Sequence, residues 1–252
     1  MGKRASATKS ILAVFLGDPH CGAAHGLTTP KLAQTERQAW LAETFTNLTK
    51  RILAEAKDKT LHVYLGGDMV HLPGDDTARE TAETLFRPLV NRADVAAAVT
   101  GTEWHVGDDG SDDRAIYRGL GIKTANITYG TAALEIGGRL VWWSHHGPKV
   151  GRRPHTELSA FHAVANDIYW RCLEVAERRP DAVIGHHVHK SPEPINHRRI
   201  WVATVPALAL SDSFAAKVAP YDRPAIGALV YHPQTNGLET WTYAIPKKFI
   251  FG

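Results

Sequence analysis

Five short histidine- and aspartate-bearing segments punctuate this chain: Gly17-Asp18-Pro19-His20, Gly67-Asp68-Met69-Val70-His71, Gly101-Thr102-Glu103-Trp104-His105, His145-His146-Gly147 and His187-Val188-His189. Four of the five directly follow a run of apolar, strand-forming residues. A fold that accommodates this pattern brings several strand ends to one place, because open α/β sheets build their sites in the crevice at those ends. Carboxylates mixed with imidazoles are a ligand set for divalent transition metals. The pattern implies two cations side by side, and such pairs mostly cleave phosphate esters.

The elements between the segments support an α/β order. Apolar runs predict strands over residues 11–16, 61–65 and 95–100. A hairpin over 132–136 and 140–143 is signalled by Gly137-Gly138. A short strand at 182–184 precedes the last segment, and strand-like runs follow at 200–205, 228–231 and 238–244. Helical spacing of Leu41, Phe45, Leu48, Ile52 and Ala56 predicts a helix over 31–57. Residues 77–87 read as a helix interrupted near Pro88, and 114–119 as a short one. Thr156 reads as the N-cap of a helix to about residue 177. The chain thus runs as βα units first and mostly strands afterwards.

The chain has 252 residues, 44% hydrophobic and 22% charged, which is enough apolar mass for a large core. We expect residues 1–10 to be a flexible tail and residues 11–252 to be one domain. A net charge of +3 does not by itself point to nucleic acid. Cys21 and Cys172 read as reduced, packed thiols of a cytoplasmic protein. No apolar run approaches a membrane span, and 11–16 is too short for a signal segment.

Each segment alone is a weak signal. His187-x-His189 is the strongest, because alternate residues of an extended segment point the same way. Together, in this order, the five resemble the motifs of the calcineurin-like metallophosphoesterase family: Asp-x-His, Gly-Asp-x-x-Asp, Gly-Asn-His-Asp/Glu, His-Gly and Gly-His-x-His. The resemblance runs from Asp18 to His189. It departs at His71, where the family has aspartate, and at His186, where it has glycine. It departs again at Thr102-Glu103-Trp104-His105, where the family has Asn-His; the result is a Gly-Thr-x-x-His variant of phage and bacterial type.

The resemblance implies a four-layer αββα sandwich, two mixed β-sheets flanked by helices. It implies two divalent ions drawn from manganese, iron, zinc, cobalt and nickel, with manganese the first choice. Asp18, His20 and His189 would hold one ion, His146 and His187 the other, and Asp68 would bridge them beside a nucleophilic hydroxide. His146 is preferred to its neighbour His145 because it precedes Gly147. Thr102 occupies the asparagine position, Glu103 is a possible replacement ligand, and His145 and His71 are neighbours of the site. His105 is the expected general acid, since imidazole titrates near neutrality.

Lys149, Arg152 and Arg153 are candidate phosphate contacts in a Gly/Pro-rich loop. Asp108, Asp109, Asp112 and Asp113 read as a solvated acidic loop. Trp104 is positioned to stack on a base or to wall the pocket. The expected activity is phosphodiester hydrolysis on a nucleotide or nucleic-acid substrate. The alternatives are a phosphomonoesterase or protein phosphatase, or a catalytically impaired binding protein of the same fold. The sequence does not set the oligomeric state.

Overall fold

The first strand is apolar on both faces, and the layering follows from that. In β1 (Ile11–Leu16), Leu12, Val14 and Leu16 face one way and Ala13 and Phe15 the other, and all five are buried. Such a strand must lie inside a sheet covered on both sides. The computed structural model describes residues 9–148, 150, 156, 158–210 and 225–250. Residues 1–8 of the expected tail, and Lys149, Arg152 and Arg153, lie outside the described residues.

The remaining strands are β2 (Thr60–Leu65), β3 (Val95–Val99), β4 (Ile127–Thr128), β5 (Thr131–Ile136), β6 (Arg139–His146), β7 (Ala182–His186), β8 (Ile195–His197), β9 (Ile200–Thr204), β10 (Ile226–His232) and β11 (Gly237–Tyr243). They form two sheets, of order β11-β10-β1-β2-β3-β4 and β5-β6-β7-β9-β8. Both are mixed. In the first, β1 to β4 run parallel and β10 pairs antiparallel with β1 and β11. In the second, β6, β7 and β9 run parallel, with antiparallel β5 and β8 at the edges.

Six α-helices lie among the described residues: α1 (Glu36–Glu55), α2 (Asp76–Arg92), α3 (Glu103–Val106), α4 (Ser111–Gly119), α5 (Ser159–Glu174) and α6 (Lys247–Ile250). Three apolar seams define the layers. Leu41, Phe45, Leu48 and Ile52 of α1, Phe86 and Leu89 of α2 and Ile116 and Tyr117 of α4 pack on Leu12, Val14, Leu16, Leu61 and Val63. Between the sheets lie Phe15, Tyr64, Val99, Val141, Trp143, Ile184 and Tyr231. Phe15 stacks on Tyr64 at 4.7 Å, and Trp143 meets both rings edge-on at 5.8 and 5.5 Å. Phe161 and Ala165 of α5 cover Ile200 and Val202 on the outer face of the second sheet. The result is the expected α/β/β/α sandwich of two mixed sheets. Among the described residues, no helix is long and apolar enough to cross a membrane.

Several boundaries differ from the sequence reading. The helix expected from residue 31 begins at Glu36, because Thr35 caps it by accepting a hydrogen bond from the Gln38 amide. Pro88 does not interrupt α2, which continues to Arg92. A proline inside a helix costs about 3 kcal/mol, and burial of Phe86, Leu89 and Val90 on either side offsets it. The helix expected over 156–177 is shorter at both ends, and its N-cap position is Leu158, with no side-chain cap. β6 extends three residues past Trp143, so His145 and His146 are strand residues, and its register beside β7 shifts between Ser144 and His146, with both rings near His187.

The aromatic trio gives a direct test of the middle seam. Trp143→Ala should destabilise the protein by about 3–5 kcal/mol, as large core truncations do, read as a lowered urea midpoint. An unchanged midpoint would mean that the two sheets do not depend on this contact.

Candidate metal centre

The C-terminal ends of β1, β2, β3, β6 and β7 meet at one edge of the sandwich. Asp18 and His20 follow β1, Asp68 follows β2, Thr102 follows β3, His145 is the last residue but one of β6, and His187 and His189 follow β7. Five of these side chains sit on left-handed backbone: Asp18 (φ 52), His20 (φ 43), Asp68 (φ 50), His187 (φ 73) and His189 (φ 52). Non-glycine residues rarely adopt it, at a cost of about 1–3 kcal/mol each. Backbone bonds over-determine the turns: Asp18 N to Gly67 O, His20 N to Asp68 O and Cys21 N to Met69 O, each at 3.1 Å. The strain turns successive side chains off the strand direction and into the crevice.

Two donor groups result. Asp18, His20 and His189 form one, and Asp18, Asp68, His145 and His187 the other, with the donor atoms of each within 4.8 Å of one another. The Nε2 atoms of His20 and His189 lie 3.0 Å apart, the separation of two cis ligands on an ion with bonds of about 2.1 Å. Asp68 Oδ2 faces His145 Nε2 at 3.3 Å and His187 Nδ1 at 3.6 Å. Asp68 Oδ1 accepts from the Thr102 amide at 2.7 Å. A Cβ on Gly101 would meet that oxygen at 2.1 Å, so only glycine lets the backbone come this close.

The charges fit cation binding. Burial opposes ionisation of both carboxylates. For Asp18, the close approach of His186 and the fields of His189 and His145 outweigh it, and for Asp68 the close approach of His145 and His187 does so; both remain charged. Burial pushes His20 and His189 down, which leaves neutral rings with lone pairs to give. Asp18 Oδ1 and His20 Nδ1 are buried without a hydrogen-bond partner. A partnerless buried carboxylate oxygen is costly, and a bound cation would satisfy it.

The two neighbouring histidines differ in burial, although their rings lie 4.9 Å apart. His145 is fully buried and donates from Nδ1 to Gly66 O at 2.6 Å, which aims Nε2 at Asp68. His146 is exposed and groups only with His145 and His187, at the rim. Thr102 places its hydroxyl 3.1 Å from His145 Nε2, 3.4 Å from His187 Nδ1 and 3.4 Å from Asp68 Oδ2. Glu103 points elsewhere and accepts from the Tyr129 hydroxyl at 2.6 Å.

α3 begins directly after Thr102, and its turn carries His105 toward His20, with ring centroids 4.6 Å apart. His105 Nδ1 donates to the His71 carbonyl at 2.8 Å. His20, His71 and His105 form a further group of close imidazoles. Trp104, next to His105 in the chain, is 76% exposed. Cys21 is buried, and burial pushes its thiol far up, away from a thiolate ligand.

Two features escape sequence reasoning. His186, at the family's glycine position, is fully buried and accepts from Trp143 Nε1 at 3.0 Å. It fits because Gly17 and Gly66 have no side chain: a Cβ there would meet its ring at 2.4 and 2.0 Å. Its departure from the motif is the one signal of it in the sequence. Asp112 and Asp113, read as solvated, are buried. Asp113 accepts from the Met69 amide at 3.0 Å and the Gly101 amide at 2.8 Å, tying the two loops together. Asp112 accepts from Gly74 N at 2.9 Å. α4 begins at Ser111 and turns both inward, and no local pattern announces that.

No family model matches the chain, and no curated protein matches it in sequence. Among solved structures it is similar to a novel archaeal phosphodiesterase at 13% identity over 92% of this chain and 99% of that one, TM-score 0.48. It is similar to Vps29 of Chaetomium thermophilum at 10% identity, over 95% and 100% of the two chains, TM-score 0.48. A metallophosphoesterase from Sphaerobacter thermophilus gives 10%, 93%, 89% and 0.45. The fold class rests on the strand orders and the three seams, and the chemistry on the residues themselves.

The His145–Asp68 pair predicts a pH dependence. Burial disfavours the imidazolium, but the hydrogen bond and charge of Asp68 outweigh it and lift His145 from 6.5 to about 9. The folded value is raised, so the proton's stabilising contribution is present below about 6.5 and is lost as pH climbs through about 9. A ligand histidine must be neutral. Metal uptake at this group should therefore release a proton at pH 7.5 and weaken about tenfold per pH unit lost below 9. Calorimetry in buffers of different ionisation enthalpy reads the proton. Identical release from His145→Gln would disprove the linkage.

Proposed function

We propose that this protein is a two-metal phosphoesterase, acting by preference on phosphodiesters of nucleotides or nucleic acid. The observation that carries this reading is the pair of adjoining donor groups that share Asp18, at converging strand ends, with a buried Asp18 oxygen left partnerless. Asp18, His20 and His189 would hold the first ion. Asp68, His145 and His187 would hold the second, with the Thr102 hydroxyl in the place of the family's asparagine. Geometry favours His145 over His146 here, because His145 alone of the two reaches Asp68. Asp68 is the proposed bridge, with its buried Oδ2 facing His145 and His187.

Manganese is the proposed ion; iron, zinc, cobalt and nickel suit the same mixed nitrogen and oxygen donors. The ions would polarise a phosphoryl oxygen and make a water acidic enough to attack at neutral pH. The chain's own residues do the rest. Asp18 and Asp68 balance the charge and fix the spacing. His105 is the proposed acid: its Nδ1–H is held by the His71 carbonyl, which leaves Nε2 to deliver a proton to the departing oxygen. Trp104 offers an open face for a nucleobase at the rim. Lys149, Arg152 and Arg153, which follow His146 in the sequence, are proposed to meet the phosphate. Both cysteines are buried and unpaired, as in a reducing compartment, and we place the protein in the cytoplasm.

With manganese, bis-p-nitrophenyl phosphate should be cleaved faster than the monoester. Asp68→Asn should abolish that activity and lower metal content. A variant with full metal occupancy and near-normal rate would refute the dinuclear reading, and a preference for the monoester would refute the diesterase.

His105→Ala should lower kcat by about 10²–10⁴-fold on esters with a strongly basic leaving group, with both metals retained. The loss should shrink for p-nitrophenolate, which departs without a proton. Equal losses on both substrates would remove His105 from the acid role.

A further inference from the structure

The opposite end of the second sheet carries a cluster of arginines and aromatics that hydrolysis does not use. β6, β7 and β9 run parallel, so their N-terminal ends lie away from the metal centre. There, between the C-terminal half of α5 and the β8–β9 turn, is a cavity of about 630 Å³. Arg139, Tyr169, Arg179, Asn196, Arg199 and Asn236 are among its walls. Arg139 is engaged by Asp181 at 2.9 Å. Arg179, Arg198 and Arg199 form no ion pair among the described residues. Glu177 is the one lining carboxylate besides Asp181, so positive charge is in surplus. The Arg198 guanidinium lies over Tyr169 at 4.6 Å and over Trp170 at 5.4 Å, and its Nε is pinned by Asn166. Arg179 lies over Tyr169 at 5.3 Å. Trp170 is 54% exposed.

The turn that presents two of these arginines is strained. His197 pairs with Ile200, so Arg198-Arg199 is a two-residue hairpin loop. Both residues have positive φ, 52 and 62. A turn of this kind favours Asn-Gly, which reaches left-handed backbone easily; arginine does not. The chain holds two guanidinium groups, neither of them in an ion pair among the described residues, at positions that local structure disfavours.

We propose that this corner is a binding site for single-stranded nucleic acid. Arg179, Arg198 and Arg199 take backbone phosphates through charge-assisted hydrogen bonds. The open face of Trp170 stacks a base in a sequence-tolerant way. α5 spans 16 residues, roughly 24 Å, between the two ends of the sheet. The site is therefore separate from the metal centre, and a bound strand is held there without being cut. This inference goes beyond the hydrolytic reading and does not depend on it.

The test is fluorescence anisotropy of labelled oligothymidylate in EDTA, where no cleavage competes. Wild-type protein should bind with an affinity that falls as salt rises. The double variant Arg198→Asn, Arg199→Gly should bind about tenfold more weakly or worse, with a log–log salt slope shallower by about 1.4 for two lost phosphate contacts. It should melt at or above the wild-type temperature, because Asn-Gly relieves the turn. Trp170→Ala should weaken binding and leave the slope unchanged. Hydrolysis of bis-p-nitrophenyl phosphate should be the same in all three proteins, and it judges the hydrolytic reading separately. Unchanged affinity in the double variant would show that the arginines serve the turn alone and overturn the proposal. So would full displacement of the strand by equimolar ATP, the mark of a free-nucleotide pocket, or no binding at low salt.

Discussion

A charged carboxylate with no exposed surface is the constraint on which the rest of the site depends. Asp68 is fully buried at the end of a central strand and stays ionised. An uncompensated charge in such a place costs several kcal/mol. Its compensation comes from three places in the chain: the Thr102 amide and hydroxyl, His145 and His187. Asp113 then holds that loop and the Gly101 loop in register through two backbone amides. Burial and the charge of Asp68 lift Asp113 to about 7, so part of the folding energy goes into keeping one carboxylate close to another. Such a cluster is poorly balanced without cations.

The layers make that imbalance tolerable. Left-handed backbone at five site residues persists only if the surroundings forbid relaxation. The apolar seams supply this on both sides of β1 and β2, and the aromatic trio locks the two sheets together directly beneath the site. Trp143 joins the two functions. Its ring fills the seam, and its indole N–H orients His186, which lies 3.7 Å from Asp18 Oδ2. Packing and site chemistry therefore share a residue, and neither can shift without the other.

Much of this architecture is legible in the order of residues along the chain. Period-two and helical spacing mark the strands and helices, because burial on one or both faces writes itself into alternation. The five polar segments mark the site, because they fall at strand ends. Pro88 misleads, since the penalty it imposes is local and the burial that offsets it is not. Thr102 and Glu103 cannot be ranked as stand-ins for asparagine by spacing. α3 leaves Thr102 at the cluster and turns Glu103 toward Tyr129.

The sequence by itself determined the order of elements, the apolar faces and the inventory of candidate ligands, because these depend on residues close together along the chain. Which of His145 and His146 is buried depended on how far β6 runs and on its irregular register beside β7. That Asp112 and Asp113 are buried, that His186 fits between Gly17 and Gly66, and that Arg198 comes to lie over Tyr169 and Trp170 depended on partners distant in the chain. Only tertiary structure decided these, because burial and charge compensation are properties of what surrounds a side chain in space and not of its neighbours in sequence.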